Sequence, residues 1–308
     1  MDRYRIAVMM STYNGEQYIK EQLDSIIRQE GPIRIKLFIR DDGSSDTTVQ
    51  IIKSYMDSLD IVLYTGDNIG TGRSFMELMS IVFNLDEKFD YYAFSDQDDI
   101  WMNEKLIKAI GFFKDNGPQL YFSNLIYYHN GETKGYVYEG AQSTGLKDNI
   151  IGNHAAGCTF VFNNAMAEII NDVEPPCHAV LKYLFHDTWT VLLSCIYGKT
   201  VYDENSYILY RIHDSNASIY HMAFTERIRL ALSKNPDERK HGIRSLIARE
   251  LLKNCKDIPD DDLIVLKKIG EYRKSIFARL AVITDKEIRE RSQESIFVLA
   301  LKVFFNCF

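Results

Sequence analysis

The sequence predicts an α/β fold, a parallel sheet with helices on both faces, that gives way to a helical appendage toward the C-terminus. Three observations predict it. Apolar runs of strand length alternate with segments of helical spacing as far as Gly117-Pro118, and such β-α-β-α alternation builds parallel sheets. Each of the first four strand runs ends in a polar turn, so the turns gather on one edge of the sheet. Beyond Ala217 the strand patterns stop, and helical spacing continues alone with mixed charge and basic clusters.

The elements follow in order. Arg5 to Met10 is a largely apolar run, the mark of a strand covered on both faces, and it ends in the turn Ser11-Thr-Tyr-Asn-Gly15. Tyr18, Ile19, Leu23, Ile26 and Ile27 have helical spacing, with Gly31-Pro32 as a stop. Ile33 to Ile39 is a second strand, closed by Asp41-Asp-Gly-Ser-Ser-Asp46 with Asp46 as helix cap. A second helix carries Val49, Ile52 and Met56, a third strand runs from Ile61 to Tyr64, and Phe75 to Phe83 forms a third helix. The fourth strand, Tyr91 to Phe94, leads into Ser95-Asp-Gln-Asp-Asp-Ile-Trp101 and a helix to about Asp115. Leu120 to His129 and Lys134 to Tyr138 flank Asn130-Gly131, a hairpin signal. His154 to Phe162 is a strand entered by small residues, a helix begins near Asn164, and Pro175-Pro176 breaks the chain. A helix covers roughly Trp189 to Tyr197, and Thr200 to Tyr202 and Tyr207 to Ile212 read as two strands.

Composition excludes several classes. A net charge of −7 over 308 residues argues against general nucleic-acid binding, which needs a basic face. Cys158, Cys177, Cys195, Cys255 and Cys307 lie far apart with no metal spacing, a pattern expected of reduced, buried thiols in an intracellular protein. The N-terminus runs straight into a strand without a signal-peptide layout. No stretch is long and apolar enough to span a bilayer. The expected location is therefore the cytoplasm.

The chemistry centres on Asp96, Asp98 and Asp99. Three carboxylates within four positions repel one another unless they are solvated or share a hard divalent cation. Their place after a strand favours the cation, because ligands of open α/β sheets bind beyond the carboxyl ends of strands. The same residues also read as an acidic helix N-terminus capped by Asp99 or Asn103. The second acidic turn, Asp41-Asp42, faces the same edge. Together the two turns suit a nucleoside diphosphate, with one carboxylate on base or ribose and a metal at the diphosphate. Gly66 to Arg73 adds glycines for close approach and Arg73 for phosphate. The glycine patterns of dinucleotide enzymes, P-loop kinases and serine hydrolases are all absent.

Taken together, Ser11-Thr-Tyr-Asn-Gly, Asp41-Asp-Gly-Ser-Ser-Asp-Thr-Thr and Ser95-Asp-Gln-Asp-Asp-Ile-Trp resemble the family 2 glycosyltransferases of GT-A fold, over roughly residues 4–216. The last motif is most similar to the rhamnosyltransferase-like bacterial members that build surface polysaccharides. The resemblance implies a Rossmann-like mixed sheet and an inverting transfer from a nucleotide-activated sugar with Mg²⁺ or Mn²⁺. By position it puts Thr12, Tyr13, Asp41 and Asp42 at the nucleotide, Asp96 at the ribose, and Asp98 at the metal. Gly157, Cys158 and Trp189 match the acceptor side. Asp187, in His186-Asp187 ahead of a helix, matches the general base, while His186 departs from the acidic residue of many relatives. Tyr210-Arg-Ile-His213 resembles a loop that closes over the diphosphate, with Arg211 neutralising charge and His213 ligating metal.

The implied organisation is a catalytic domain at 1–218, divided at 117/118 into nucleotide-sugar and acceptor halves, followed by a helical region at 219–308. The implied partners are a nucleotide-diphosphate sugar, with L-rhamnose from dTDP-rhamnose or a hexose from a UDP-sugar foremost, and a saccharide acceptor on a polyprenyl carrier. A nucleotidyltransferase or a catalytically inactive nucleotide-sugar-binding module are the competing readings. The apolar end of the chain, Ile296 to Phe305, beside basic clusters, suits either peripheral contact with the inner face of the plasma membrane or packing on the protein or in a homodimer.

Overall fold

The computed structural model describes residues 3–152, 155–181, 185–213, 242–292, 295–305 and 308. By packing, the chain divides into two units. One comprises Met1–Thr144, Ala155–Val173 and Phe185–His213, and the other Gly145–His154, Glu174–Leu184 and Asp214–Phe308. The expected boundary at 218/219 lies outside the described residues. Two earlier segments, around 145–154 and 174–184, group with the helical unit rather than with the sheet.

The first unit is built on one sheet that among the described residues has nine strands, in the order β3 (Ile61–Thr65), β2 (Ile33–Asp41), β1 (Tyr4–Thr12), β4 (Tyr91–Ser95), β8 (Val161–Asn163), β6 (Gln119–His129), β9 (Lys199–Arg211) and β5 (Ile100–Trp101), with β7 (Glu132–Tyr136) paired to β6. Strands β1 (Tyr4–Thr12), β2 (Ile33–Asp41), β3 (Ile61–Thr65) and β4 (Tyr91–Ser95) are mutually parallel. Helices α1 (Ile19–Ile27), α2 (Thr48–Ser54) and α3 (Thr71–Phe83) connect them. Ile6, Val8 and Met10 on one face of β1 and Met9 on the other are fully buried, as a strand covered on both faces requires. Each such aliphatic side chain contributes roughly 1.5–3 kcal/mol. Met10 pairs with both Ile39 and Ser95, and Thr12 with Asp41. That register brings the ends of β1, β2 and β4 level, so both acidic turns leave the sheet on one edge.

The rest of the sheet is mixed, as the GT-A resemblance implied and simple βα alternation did not. Strand β8 (Val161–Asn163) runs antiparallel to both β4 and β6 (Gln119–His129). Strands β6 and β7 (Glu132–Tyr136) form the expected hairpin, with Asn130 and Gly131 both at positive φ. Two sequence expectations need correction here. Thr200–Tyr202 and Tyr207–Ile212 belong to one strand, β9 (Lys199–Arg211), whose register against β6 shifts near Asn124. Ile100–Trp101 does not open a helix. It forms the short strand β5, paired with Ile208 and Leu209, and helix α4 is confined to Lys105–Ile110 without a side-chain cap. Buried Trp101 is held there by its backbone N–H, which donates to Ser25 Oγ at 3.0 Å. Helix α6 (Asn164–Asp172) is capped by Asn163, and α8 (His186–Tyr197) starts three residues earlier than its apolar spacing suggested.

The second unit is helical among its described residues: α5 (Leu146–Gly152), α7 (His178–Leu181), α9 (Ile243–Asn254), α10 (Asp260–Glu271), α11 (Ile276–Thr284), α12 (Lys286–Ser292) and α13 (Ile296–Phe304). Lys147 and Asp148 of α5 pair with Glu287 and Arg291 of α12 at 2.9 and 2.6 Å, which explains why this early segment belongs here. Tyr272 and Phe308 meet edge-on inside the unit. No helix among the described residues is long and apolar enough to cross a membrane. Cys158 and Cys255 are buried as expected, whereas Cys177 is exposed.

Candidate active site

Strand β4 delivers the acidic turn. Ser95 is buried, Asp96 and Asp98 are half-buried, and Asp99 turns fully inward. Burial, and then the charges of Asp98 and Asp187, push Asp96 up to about 8. Burial and the same clustering of charge hold Asp99 well above the usual carboxylate range. Asp99 Oδ1 accepts the Arg211 backbone N–H at 3.2 Å, while Oδ2 has no hydrogen-bond partner among the described residues. One oxygen of Asp96, one of Asp99 and the buried Cys158 sulfur lie within 4.8 Å of one another. Lys105 is buried alongside, its ammonium 3.8 Å above the Trp101 ring, and burial lowers it to about 7.

The end of β9 closes on the same turn. His213 Nε2 lies 2.8 Å from Asp98 Oδ2, and its ring stacks on Tyr18. Arg211 Nε donates to Asp98 O at 2.8 Å, its other arm pairs with Glu21 at 3.1 Å, and its guanidinium sits between Tyr18 and Tyr128. Arg211, His213 and Asp98 are therefore brought together although more than a hundred residues separate them in sequence. The side-chain donors at this point are carboxylate oxygen and imidazole nitrogen. That set fits a divalent cation of the Mn²⁺ type, and less well Mg²⁺, which prefers oxygen alone.

Asp187 comes from the first turn of α8. Its Oδ2 accepts the Gly157 N–H at 3.2 Å and its Oδ1 accepts the Thr188 N–H at 2.6 Å. Burial raises it from the ordinary carboxylate value, partly offset by these bonds. Gly157 begins the short 3₁₀ turn Gly157–Thr159. His186, directly before Asp187, is enclosed by aromatic rings. It is buried, stacks on Phe75 at 3.7 Å, meets Phe94 edge-on, and offers neither ring nitrogen a partner among the described residues. Burial lowers it to about 3, so it stays neutral at working pH. Trp189 is fully buried. Its side chain is part of the core beneath the first turn of α8. Cys158 is likewise closed to solvent and lies against Asp96 and Asp99.

The β1 and β2 turns supply the other wall. Asp41 is buried, with Oδ1 accepting from Thr12 and Ser44 hydroxyls and Oδ2 from the Ser44 N–H. Asp42 is also buried. It pairs with Arg40 at 2.5 Å and accepts the Ile69 and Gly70 N–H groups, so it ties down the loop before α3. Tyr13 is 47% exposed and free to meet a ring. Arg73 stands in the first turn of α3 and makes no ion pair among the described residues.

Two residues escaped sequence reasoning. Gln97 clamps the first turn to the acidic one: its Oε1 accepts the Tyr13 N–H at 3.0 Å and its Nε2 donates to Tyr13 O at 3.1 Å. A Cβ on Gly15 would fall 2.3 Å from Gln97 Oε1, so a larger residue there would displace the clamp. The central Gln of Ser-Asp-Gln-Asp-Asp was the available signal. The other is Lys105, whose signal was a cation on the buried face of an apolar helix.

Residues 7–180 match the family model described as Glycosyl transferase family 2. Over 307 residues the chain is 31% identical to the dTDP-rhamnosyl transferase RfbG of Shigella flexneri, covering 97% of this chain and 100% of that one. It is 27% identical over 164 residues to the UDP-Glc:alpha-D-GlcNAc-diphosphoundecaprenol beta-1,3-glucosyltransferase WfgD of Escherichia coli, covering 52% of this chain and 60% of that one. Among solved structures, S. aureus TarS 1-349 in complex with UDP-GlcNAc superposes with a TM-score of 0.59 at 17% identity, covering 94% of this chain and 78% of that one.

Proposed function

The chain belongs to glycosyl transferase family 2 and is a glycosyltransferase of GT-A fold, and from that premise we propose that it moves L-rhamnose from dTDP-rhamnose to a hydroxyl of a lipid-linked saccharide, with inversion. The single observation that carries the mechanism is geometric: the Cys158 sulfur lies within 4.8 Å of an Asp96 oxygen, and the neighbouring Gly157 N–H donates to Asp187 Oδ2 at 3.2 Å, which sets the proposed base beside the acidic turn that carries Asp98. One wall of the site then holds the donor and the other holds a base. The full-length similarity to a dTDP-rhamnosyl transferase supports the donor. The diphosphoundecaprenol in the name of the WfgD relative supports the carrier.

In this reading Tyr13 stacks on the base, Asp41 accepts from it beside Thr12, and Asp96 accepts from the ribose. Asp42 acts indirectly, by fixing the loop that leads to Arg73, and Arg73 lies near the diphosphate. A divalent cation held by Asp98 and His213 would supply electrophilic stabilisation of the leaving diphosphate. Arg211 adds a fixed positive charge beside it, held in place by Tyr18 and Glu21. Asp187 takes the proton of the attacking hydroxyl, because an alcohol is a poor nucleophile until a base removes it. Its raised affinity for the proton suits that task. Gly157 leaves room for Asp187 itself, and the turn it shares with Cys158 forms the acceptor side. A single displacement at the anomeric carbon inverts its configuration.

The test is to incubate the full chain with Mn²⁺ and, in turn, dTDP-rhamnose, UDP-glucose, UDP-galactose and UDP-N-acetylglucosamine, with a polyprenyl-diphosphate saccharide as acceptor. Release of dTDP with rhamnose in the product is expected. Preferential use of a UDP-sugar would reassign the donor, and release of pyrophosphate would overturn the reaction class.

A further inference from the structure

Two polar side chains, Gln22 and Ser25, are fully enclosed on the buried face of α1 beside Ile19, Leu23 and Ile26. A buried amide or hydroxyl is costly unless its polar atoms are paired, so the partners of these two show what they hold. Outside α1 itself, those partners all come from one stretch, Ser95 to Trp101, the acidic turn and the short strand after it.

The neighbours of Gln22 fix the orientation of its amide. The Asp99 carbonyl can only accept, and the Trp101 indole N–H can only donate. The amide nitrogen therefore donates to Asp99 O at 2.8 Å and to Ser25 Oγ at 2.9 Å, and the amide oxygen accepts from Ser95 Oγ at 2.7 Å and Trp101 Nε1 at 3.1 Å. Both donors and both acceptor positions are in use. Ser25 adds a parallel bond, its Oγ accepting the Trp101 backbone N–H at 3.0 Å.

Gln22 thus grips both ends of the turn. Ser95 directly precedes Asp96, and Asp99 directly follows Asp98. Three carboxylates in so short a turn repel one another, and a neutral amide bonded to both ends resists that spreading without adding charge. Asp99 in turn receives the Arg211 backbone N–H at 3.2 Å, and His213 Nε2 lies 2.8 Å from Asp98 Oδ2. The placement of Asp98 against His213 therefore depends on how the turn is held.

We propose that Gln22 is a positioning residue of the reaction: by bonding Ser95, Asp99 and Trp101 at once, it sets Asp98 where the carboxylate and His213 can share a divalent cation. This rests on the metal reading of Asp98 given above. Gln29 supplies a natural control. Its Nε2 donates to Met102 O at 2.7 Å and its Oε1 accepts the Leu106 N–H at 3.2 Å, so it holds the same segment of chain beyond the turn.

The experiment titrates Mn²⁺ into the full-length wild type, Gln22→Met, Ser95→Ala and Gln29→Met, with dTDP present and in parallel with UDP. Bound ion is read from the loss of the free-ion paramagnetic resonance signal. Exchange of the indole N–H protons is followed by NMR, where Trp101 gives one of only two such signals because Trp189 is the other tryptophan. Losing a group that orients a metal ligand typically costs about 10–100-fold in metal affinity. Gln22→Met, which keeps the length of the side chain and removes its polar atoms, should weaken Mn²⁺ binding by about tenfold or more and speed exchange of the Trp101 indole proton. Ser95→Ala deletes one hydroxyl and should weaken binding in the same direction by less. Gln29→Met should keep the wild-type Mn²⁺ affinity. Wild-type affinity in Gln22→Met overturns the proposal, and so does an equal loss in Gln29→Met, which would make these bonds serve the fold alone. If Gln22→Met does not fold, wild-type affinity in Ser95→Ala overturns it in the same way. A wild type that takes up no Mn²⁺ with either nucleotide counts against the metal reading of Asp98 instead; faster indole exchange in Gln22→Met then still supports Gln22 as the residue that holds the turn.

Discussion

Asp187 approaches the backbone of Gly157 so closely that a Cβ on Gly157 would lie 2.6 Å from the Asp187 Cβ. The Gly157 N–H holds Asp187 Oδ2 at 3.2 Å in that position. The glycine is therefore a steric requirement of the proposed base, and it explains why a small residue precedes Cys158. Gly157→Ala must push Asp187 away, and displacement by about 1 Å is enough to cost roughly 10²-fold in rate. Asp187→Asn should lose 10²–10⁴-fold, the usual contribution of a general base. Donor affinity, read by thermal shift with dTDP-rhamnose, should hold in both variants. Loss of donor affinity with loss of rate would make Asp187 a structural residue.

The contact between Asp98 and His213 leads to a second prediction. With Asp98 Oδ2 and His213 Nε2 2.8 Å apart, the two are expected to share one cation. Asp98→Asn should abolish transfer at every Mn²⁺ concentration. His213→Ala should raise the Mn²⁺ concentration needed for half-maximal rate by about tenfold or more, while leaving a measurable rate at saturation. If His213→Ala lowered the rate equally at all Mn²⁺ concentrations, the imidazole would serve the closing strand and not the metal.

Much of this site was legible in the sequence because it sits where regular elements end. The apolar runs at Ile6–Met10 and Tyr91–Phe94 mark central strands, and the polar residues after them can only lie at the sheet edge. Strand β5 was not legible. Two residues, Ile100 and Trp101, carry no periodicity, and their partners Ile208 and Leu209 are far along the chain. The same holds for the cluster of Asp99, Lys105 and Cys158, whose members meet only once β8 is laid beside β4. His186 was illegible for a different reason: a pair of polar residues before a helix looks like a cap, and nothing local reveals that Phe75 and Phe94 enclose the ring.

Asp96 predicts how stability depends on pH in protein stripped of divalent cations. Its ordinary value is 3.8 and the folded value is about 8. Between those values the unfolded chain has released the proton and the folded chain keeps it, so stability falls as pH rises from about 4 to about 8. The slope for one such group is at most about 1.4 kcal/mol per pH unit. A cation binding beside Asp96 favours its charged form and opposes the loss. Urea unfolding across this range should show the decline in EDTA and a smaller one with Mn²⁺. Asp96→Asn should flatten the EDTA profile; an unchanged profile would show that another group sets it.

His186 acts on the acid side with the opposite sign. Its ordinary value is 6.5 and burial lowers the folded value to about 3. Below about pH 6.5 the unfolded chain takes up a proton that the folded imidazole refuses, so stability falls as pH drops from there toward 3. The ring lies 3.7 Å from Phe75 in a stacked arrangement, and its nitrogens have no partners to lose among the described residues. His186→Phe therefore removes a titrating group while keeping a flat ring of similar breadth in an aromatic slot. At about pH 7 the variant should match the wild type to within about 1 kcal/mol, the tolerance of shape-conserving swaps. At about pH 5 it should be the more stable of the two by roughly 1–2 kcal/mol, because each pH unit below the unfolded value costs the wild type up to about 1.4 kcal/mol. Transfer activity should survive, since the base is the neighbouring Asp187 and the imidazole is sealed from the site. A variant that stays folded but loses all transfer would show that His186, not only Asp187, serves the reaction.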